Sequence, residues 1–147
     1  MGMIEFRTGN IFDSDCDTIV NPINCVGVMG KGLALEFKKR YPDMYKDYVA
    51  KCSASMVKTG HPYLYKSSDK NILNFPTKYH WRNPSKLEYV TKGLDWFVDN
   101  YQKLEIKSIA FVPLGCGLGG LDWNIVKKEM IERLESLPIK IIVYKQP

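Results

Sequence analysis

Residues 109–120 constrain this chain more than any other stretch. Ile109-Ala110-Phe111-Val112 is a continuous apolar run, and it leads directly into Pro113-Leu114-Gly115-Cys116-Gly117-Leu118-Gly119-Gly120. An apolar run with no polar alternation predicts a strand covered on both faces, which is the situation of a strand in a parallel sheet flanked by helices. Four glycines in the six positions that follow exceed what a tight turn requires. They predict a loop whose backbone comes close to something. Asp122 is placed to cap a helix after that loop, with Val126, Met130, Leu134 and Leu137 on its inward face.

The rest of the chain supplies elements of the same kind. Ile4 to Thr8 alternates apolar and polar and predicts a half-buried strand closed by Gly9-Asn10. Thr18-Ile19-Val20 predicts a short strand ending at Asn21-Pro22. A glycine-rich stretch (Gly27, Gly30, Gly32) then precedes a helix with Leu33, Ala34 and Phe37 on one face, and Tyr41-Pro42 ends that helix and begins another. The second helix runs to about Cys52 with Met44, Tyr48 and Val49 inward. Pro62–Lys66 and Ile72–Phe75 predict two strands around a turn at Ser67-Ser68-Asp69. Asn83-Pro84 predicts a helix cap followed by proline at the first helical position. Leu87, Val90, Leu94, Phe97 and Tyr101 repeat at spacings of three and four behind it. Ile139 to Tyr144 predicts the last strand. Strands alternating with helices in this way predict an α/β chain with a mostly parallel sheet and helices on both faces.

At 147 residues there is room for one domain, and a composition 45% hydrophobic and 25% charged predicts a packed core. No run approaches the roughly 18 apolar residues that a membrane span needs, and the N-terminus lacks a secretory pattern. Met1 and Gly2 read as residues added ahead of a start at Met3, so the domain is expected to occupy 3–147. The four cysteines have irregular spacing with no CxxC pair, which predicts reduced thiols in a cytoplasmic protein and no metal site. A net charge of +5 favours an anionic ligand.

Both glycine-rich segments follow a buried strand and open a helix. In open α/β sheets ligands bind outside the carboxyl ends of the strands, and free N–H groups at a helix start attract phosphate. Two such loops on one sheet predict a diphosphate cradle. Neither carries the lysine-serine/threonine ending of a nucleotide triphosphatase loop or the spacing of a dinucleotide fingerprint. The ligand is therefore expected to be a diphosphate held by backbone, with no cofactor and no obligatory metal.

Gly9-Asn10-Ile11, Ile19-Val20-Asn21-Pro22-Ile23-Asn24, Gly30-Lys31-Gly32-Leu33-Ala34 and Pro113 to Leu121 together resemble the macrodomain signature in order and spacing. That resemblance covers essentially the whole chain. It implies a three-layer α/β/α macrodomain with a mostly parallel mixed central sheet, and ADP-ribose as ligand. It places Asn10 and Ile11 beside the adenine and Asn24 at the distal ribose. Gly30, Lys31, Gly32, Leu33, Thr77 and the loop Gly115, Cys116, Gly117, Leu118, Gly119, Gly120 would hold the distal ribose and diphosphate. Many macrodomains carry an aspartate where Asn10 stands.

Asn74-Phe75-Pro76-Thr77-Lys78-Tyr79-His80-Trp81-Arg82 further resembles the corresponding stretch of DarG-type antitoxins, which remove ADP-ribose from thymidine in DNA and counteract DarT-type toxins. Full-length members carry a further C-terminal region, so an isolated or truncated macrodomain is expected here, one that pairs with a DarT-type toxin if that region is present. Resemblance to these antitoxins, and more distantly to the human terminal ADP-ribose protein glycohydrolase, implies a glycohydrolase with Lys78 and Asn24 as its catalytic residues. In the human enzyme a lysine attacks the distal ribose and an aspartate resolves the adduct, but Gly119 holds that aspartate's place here. Lys78 has two roles open to it by sequence, as a neutral nucleophile or as a cation beside the departing base. Basic residues interleaved with aromatics at Tyr79, His80, Trp81 and Arg82 suit single-stranded DNA. The alternatives are a non-catalytic ADP-ribose reader and an ADP-ribose 1″-phosphate phosphatase. A monomer is expected.

Overall fold

In the computed structural model, which describes residues 4–145, six strands form one sheet and four helices cover it. The expectation for Met1 and Gly2 lies outside the described residues. The strands are β1 (Ile4–Thr8), β2 (Thr18–Ile23), β3 (Tyr63–Lys66), β4 (Asn71–Pro76), β5 (Ser108–Phe111) and β6 (Lys140–Lys145). The helices are α1 (Gly32–Arg40), α2 (Pro42–Ser53), α3 (Leu87–Asn100) and α4 (Trp123–Leu134), with one 3-10 turn at Ile11–Asp13. Strand order is β1-β6-β5-β2-β4-β3, and only β3 runs antiparallel, against β4. This is the three-layer α/β/α fold with a mostly parallel mixed sheet, with α1 against α2 and α3 against α4.

The central strands are as apolar as their position demands. Ile109, Ala110 and Phe111 of β5 and Ile141 to Tyr144 of β6 are buried, and so are Ile19, Val20 and Ile23 of β2. α3 closes tightly on β4 because Gly93 has no side chain. A Cβ there would meet the Phe75 ring at 2.4 Å. Val90, Leu94, Phe97 and Tyr101 are buried as the spacing predicts, and Val126, Met130 and Leu134 seat α4, whereas Leu137, expected on the same helix, is buried in the turn after its end at Leu134. Asp122 caps α4 by accepting a hydrogen bond from Asn124 N at 2.8 Å.

Two further boundaries differ from the sequence expectation. α3 does not begin at Asn83-Pro84. It begins at Leu87, with Lys86 in the cap position and no side-chain cap bond. Ser85 N instead donates to Gly119 O at 3.0 Å, so a long-range bond to the second glycine loop keeps this segment out of the helix. β2 runs past Asn21-Pro22 to Ile23, pairing with β4 throughout. Its pairing with β5 covers only Thr18 and Ile19, so Pro22 sits where no β5 partner needs its missing N–H.

Candidate ligand cleft at the carboxyl ends of the strands

The sequence-derived site residues sit at the carboxyl ends of β1, β2, β4 and β5 or in the loops that follow them. After β2, Asn24 is 8% exposed and its side chain organises the first loop. Its Oδ1 accepts from Val26 N at 3.1 Å and Val28 N at 3.4 Å, and its Nδ2 donates to Val28 O at 2.7 Å. The hydroxyl of buried Tyr48 lies 2.7 Å from Asn24 Oδ1 and 3.0 Å from Asn24 O. Asn24 is thus tied to its own loop from one side and to α2 from the other. Gly30, Lys31 and Gly32 are exposed, and Leu33 is half-buried. α1 starts at Gly32 with no side-chain cap on its N-terminus. N–H groups of its first turn therefore lack intrahelical partners and suit an anion.

The second loop, after β5, is held by its own turns. Gly120 N donates to Gly117 O at 3.2 Å, Leu121 N to Gly115 O at 2.9 Å, and Cys116 N to Pro113 O at 3.3 Å. Gly119 is required by space and not by a left-handed φ. A Cβ there would stand 2.3 Å from Ser85 Oγ and 2.4 Å from Gly115 O. Gly117, Leu118 and Gly120 are exposed, Leu118 to 71%. Burial pushes the Cys116 thiol up to about 11, and that of Cys25 likewise to about 11, so neither is a ready nucleophile.

The segment after β4 bridges the two loops. Thr77 is buried and donates its N–H to Ile23 O at 3.0 Å. Cys25 N donates to Tyr79 O at 2.8 Å, and its Sγ to Lys78 O at 3.4 Å. Lys78 Nζ then reaches across to Leu118 O at 3.1 Å, with Trp81 O at 3.4 Å. Burial lowers the Lys78 pKa from its ordinary value. Beyond it Tyr79 is 60% exposed and Trp81 42%. The His80 and Trp81 rings stack at 5.3 Å, and the Arg82 guanidinium lies 4.6 Å from the Trp81 ring centre. Trp81 is therefore part of an exposed aromatic and cationic shelf, not of the core.

At the end of β1, Asn10 is exposed and its Oδ1 accepts from Phe12 N at 2.9 Å, while Ile11 is fully buried. Gly9 N donates to Lys145 O at 2.9 Å, which fixes this corner against β6. The four cysteines are free, and among the described residues no three His, Cys, Asp or Glu side chains are grouped to hold a metal. No helix of the described residues is long and apolar enough to cross a membrane. Sequence reasoning missed the roles of Tyr48 and Ser85. A buried tyrosine hydroxyl needs a partner, but nothing in the sequence names it.

The fold, the paired loops and their placement define a macrodomain: the chain belongs to the Macro domain family, whose model matches residues 20–130. A DNA ADP-ribosyl glycohydrolase of Thermus aquaticus is 44% identical over 97% of this chain and 41% of its own length. The macrodomain of Mycobacterium tuberculosis DarG superposes with a TM-score of 0.94 at 42% identity, covering 98% of both chains. Thermosipho africanus DarTG, solved in complex with ADP-ribose, gives a TM-score of 0.94 at 39% identity over 97% of this chain and 41% of that one. The chain spans about two fifths of the length of the curated DNA ADP-ribosyl glycohydrolases it matches.

Proposed function

We propose that this chain is the glycohydrolase domain, spanning 3–147, of a DarG-type antitoxin. In this reading it removes ADP-ribose from thymidine bases of single-stranded DNA in the cytoplasm, as a monomer, and opposes a DarT-type toxin. One observation carries the reading beyond ligand binding: Lys78 Nζ stands at the junction of the second glycine loop and the aromatic shelf, 3.1 Å from Leu118 O. A module that only read ADP-ribose would need no amine there. Identity to DNA ADP-ribosyl glycohydrolases over nearly the whole chain points the same way.

In this reading the first turn of α1 and the loop Gly115–Gly120 hold the diphosphate and distal ribose, with Gly30, Lys31, Gly32, Leu33, Cys116 and Thr77 shaping the cleft. Asn10 and Ile11 border the adenine, and Asn24 holds the first loop against the distal ribose. Water adds to the anomeric carbon of that ribose, the bond to the thymine imide nitrogen breaks, and its electron pair leaves with the base. Lys78 acts as the cation that steadies this departing anion. Two main-chain carbonyls already accept its N–H bonds, and Asp122, the acid nearest the second loop in sequence, is occupied as a helix cap. The base then takes up a proton through solvent.

The test is a substrate panel: thymidine-linked ADP-ribose in single-stranded DNA, ADP-ribosylated protein, and ADP-ribose 1″-phosphate. The DNA substrate is expected to release ADP-ribose fastest. Preferential loss of the 1″-phosphate would make the chain a phosphatase, and binding without release from any substrate would make it a reader.

A further inference from the structure

Beside the first glycine loop lies a groove of about 370 Å³ whose lining includes none of the residues assigned above to ADP-ribose. That volume is within the range of small-ligand sites. Its lining includes buried Cys25 and Val57, Gly27 where it packs against Cys52, and Ser53 at the end of α2. Tyr79 stands at its rim and is 60% exposed. Lys58, also exposed, is the one charged residue lining it. A second groove, lined by Tyr101, Glu105, Lys107 and Ile139 among others, lies at the opposite end of the sheet and pairs a carboxylate with its lysine. Charge and position both set the first groove apart.

We infer that this groove is a subsite for a nucleotide flanking the modified thymidine of the DNA strand, with its base beside Tyr79 and its phosphate on Lys58. The inference rests on the proposed reading of the Lys78 site. It follows from chain continuity: Lys78 belongs to the cleft, and the very next residue, Tyr79, lines the groove. The Tyr79 backbone is also fixed at this corner, because its carbonyl accepts from Cys25 N at 2.8 Å. A strand with its modified base at Lys78 thus has two ways out, one over Trp81 and Arg82 and one past Tyr79 into the groove. Tyrosine faces stack bases without sequence preference, and an isolated lysine in a lining free of carboxylates suits a phosphodiester. Lys58 is held by a tight turn, with His61 N donating to Lys58 O at 3.1 Å and Gly60 lying against the Lys92 side chain.

The experiment compares an ADP-ribosylated thymidine mononucleoside with short oligonucleotides extended on the 5′ side, the 3′ side or both. It uses wild type, Lys58→Glu, Ser53→Trp to fill the groove, and Lys103→Glu as an equal charge change at the far end of the sheet. Extension on one side is expected to raise kcat/KM in the wild type. Lys58→Glu is expected to lower kcat/KM on that oligonucleotide by about two- to fivefold, the scale of one partly exposed ion pair, and Ser53→Trp to lower it by filling the groove. Both should leave the mononucleoside rate unchanged. No gain from either extension, or an equal loss in Lys103→Glu, would overturn the subsite while leaving the glycohydrolase reading intact. Should wild type cleave neither substrate, the activity reading fails, and anisotropy with unmodified single-stranded DNA decides the groove. Weaker binding by Lys58→Glu with the salt slope reduced by about 0.7, one single-strand phosphate contact, supports it. Binding and slope equal to wild type overturn it.

Discussion

Gly119→Ala adds one carbon at the most crowded point of the second loop. Its Cβ would stand 2.3 Å from Ser85 Oγ, 2.4 Å from Gly115 O and 2.9 Å from Gly115 C, where ordinary contact begins at 3.4 Å. The hydroxyl can rotate away, but the carbonyl is held by Leu121 N at 2.9 Å, so the loop itself must move by about 1 Å. Overpacking of this kind costs about 1–3 kcal/mol. At roughly 2–4 °C per kcal/mol for a chain near this size, the Tm is expected to fall by about 2–12 °C. ADP-ribose affinity is expected to fall about tenfold or more, about 1.4 kcal/mol, because the displaced backbone is the proposed diphosphate cradle. Gly117→Ala is the control: a Cβ there meets nothing within 4 Å, and stability should stay within about 0.5 kcal/mol. Adding Ser85→Ala to Gly119→Ala should recover only part of the loss, since the clash with Gly115 O remains. Thermal melts read by circular dichroism and calorimetric titration measure both quantities. Wild-type Tm and affinity in Gly119→Ala would refute the reasoning.

Two further outcomes are expected. Glu105 has φ +59 at the end of the turn after α3, with Glu105 N bonded to Gln102 O and Ile106 N to Tyr101 O, the pattern that favours glycine. Glu105→Gly should therefore raise stability by about 0.5–1 kcal/mol and Tm by about 1–4 °C in a melt, and a lower Tm would contradict the assignment. Burial raises the Cys25 and Cys116 thiols to about 11, so at pH 8 each is overwhelmingly protonated, and the thiolate form grows only as pH rises toward that value. Mass spectrometry should show both alkylated by iodoacetamide at least tenfold more slowly than free cysteine at that pH; equal rates would contradict their burial.

What the sequence made legible followed from strong local patterns. The run Ile109–Val112 announced a buried strand because nothing polar interrupts it, and the spacing from Val90 to Tyr101 announced α3. Asp122 announced a cap because its side chain acts within two residues. Asn83-Pro84 carried an equally good local signal and misled, because the bond from Ser85 N to Gly119 O is a contact between residues 34 positions apart. The positions of Lys78 and the glycine loops followed from strand ends. The clasp of Tyr48 on Asn24, the crowding of Ser85 under Gly119 and the groove beside Tyr79 did not, since each depends on packing between elements distant in sequence.

The proposed catalytic role of Lys78 is tested most directly by single-turnover release of ADP-ribose from thymidine in single-stranded DNA. Lys78→Ala should lower the rate by about 100-fold or more, the scale of one lost electrostatic catalytic group. Its ADP-ribose affinity should stay within about tenfold of wild type, because the proposed contacts come mostly from backbone in the two loops. Lys78→Arg should keep part of the activity, since guanidinium remains a cation and cannot serve as a neutral amine. Complete loss in Lys78→Arg would contradict the cationic role, and a wild-type rate in Lys78→Ala would contradict the catalytic role itself.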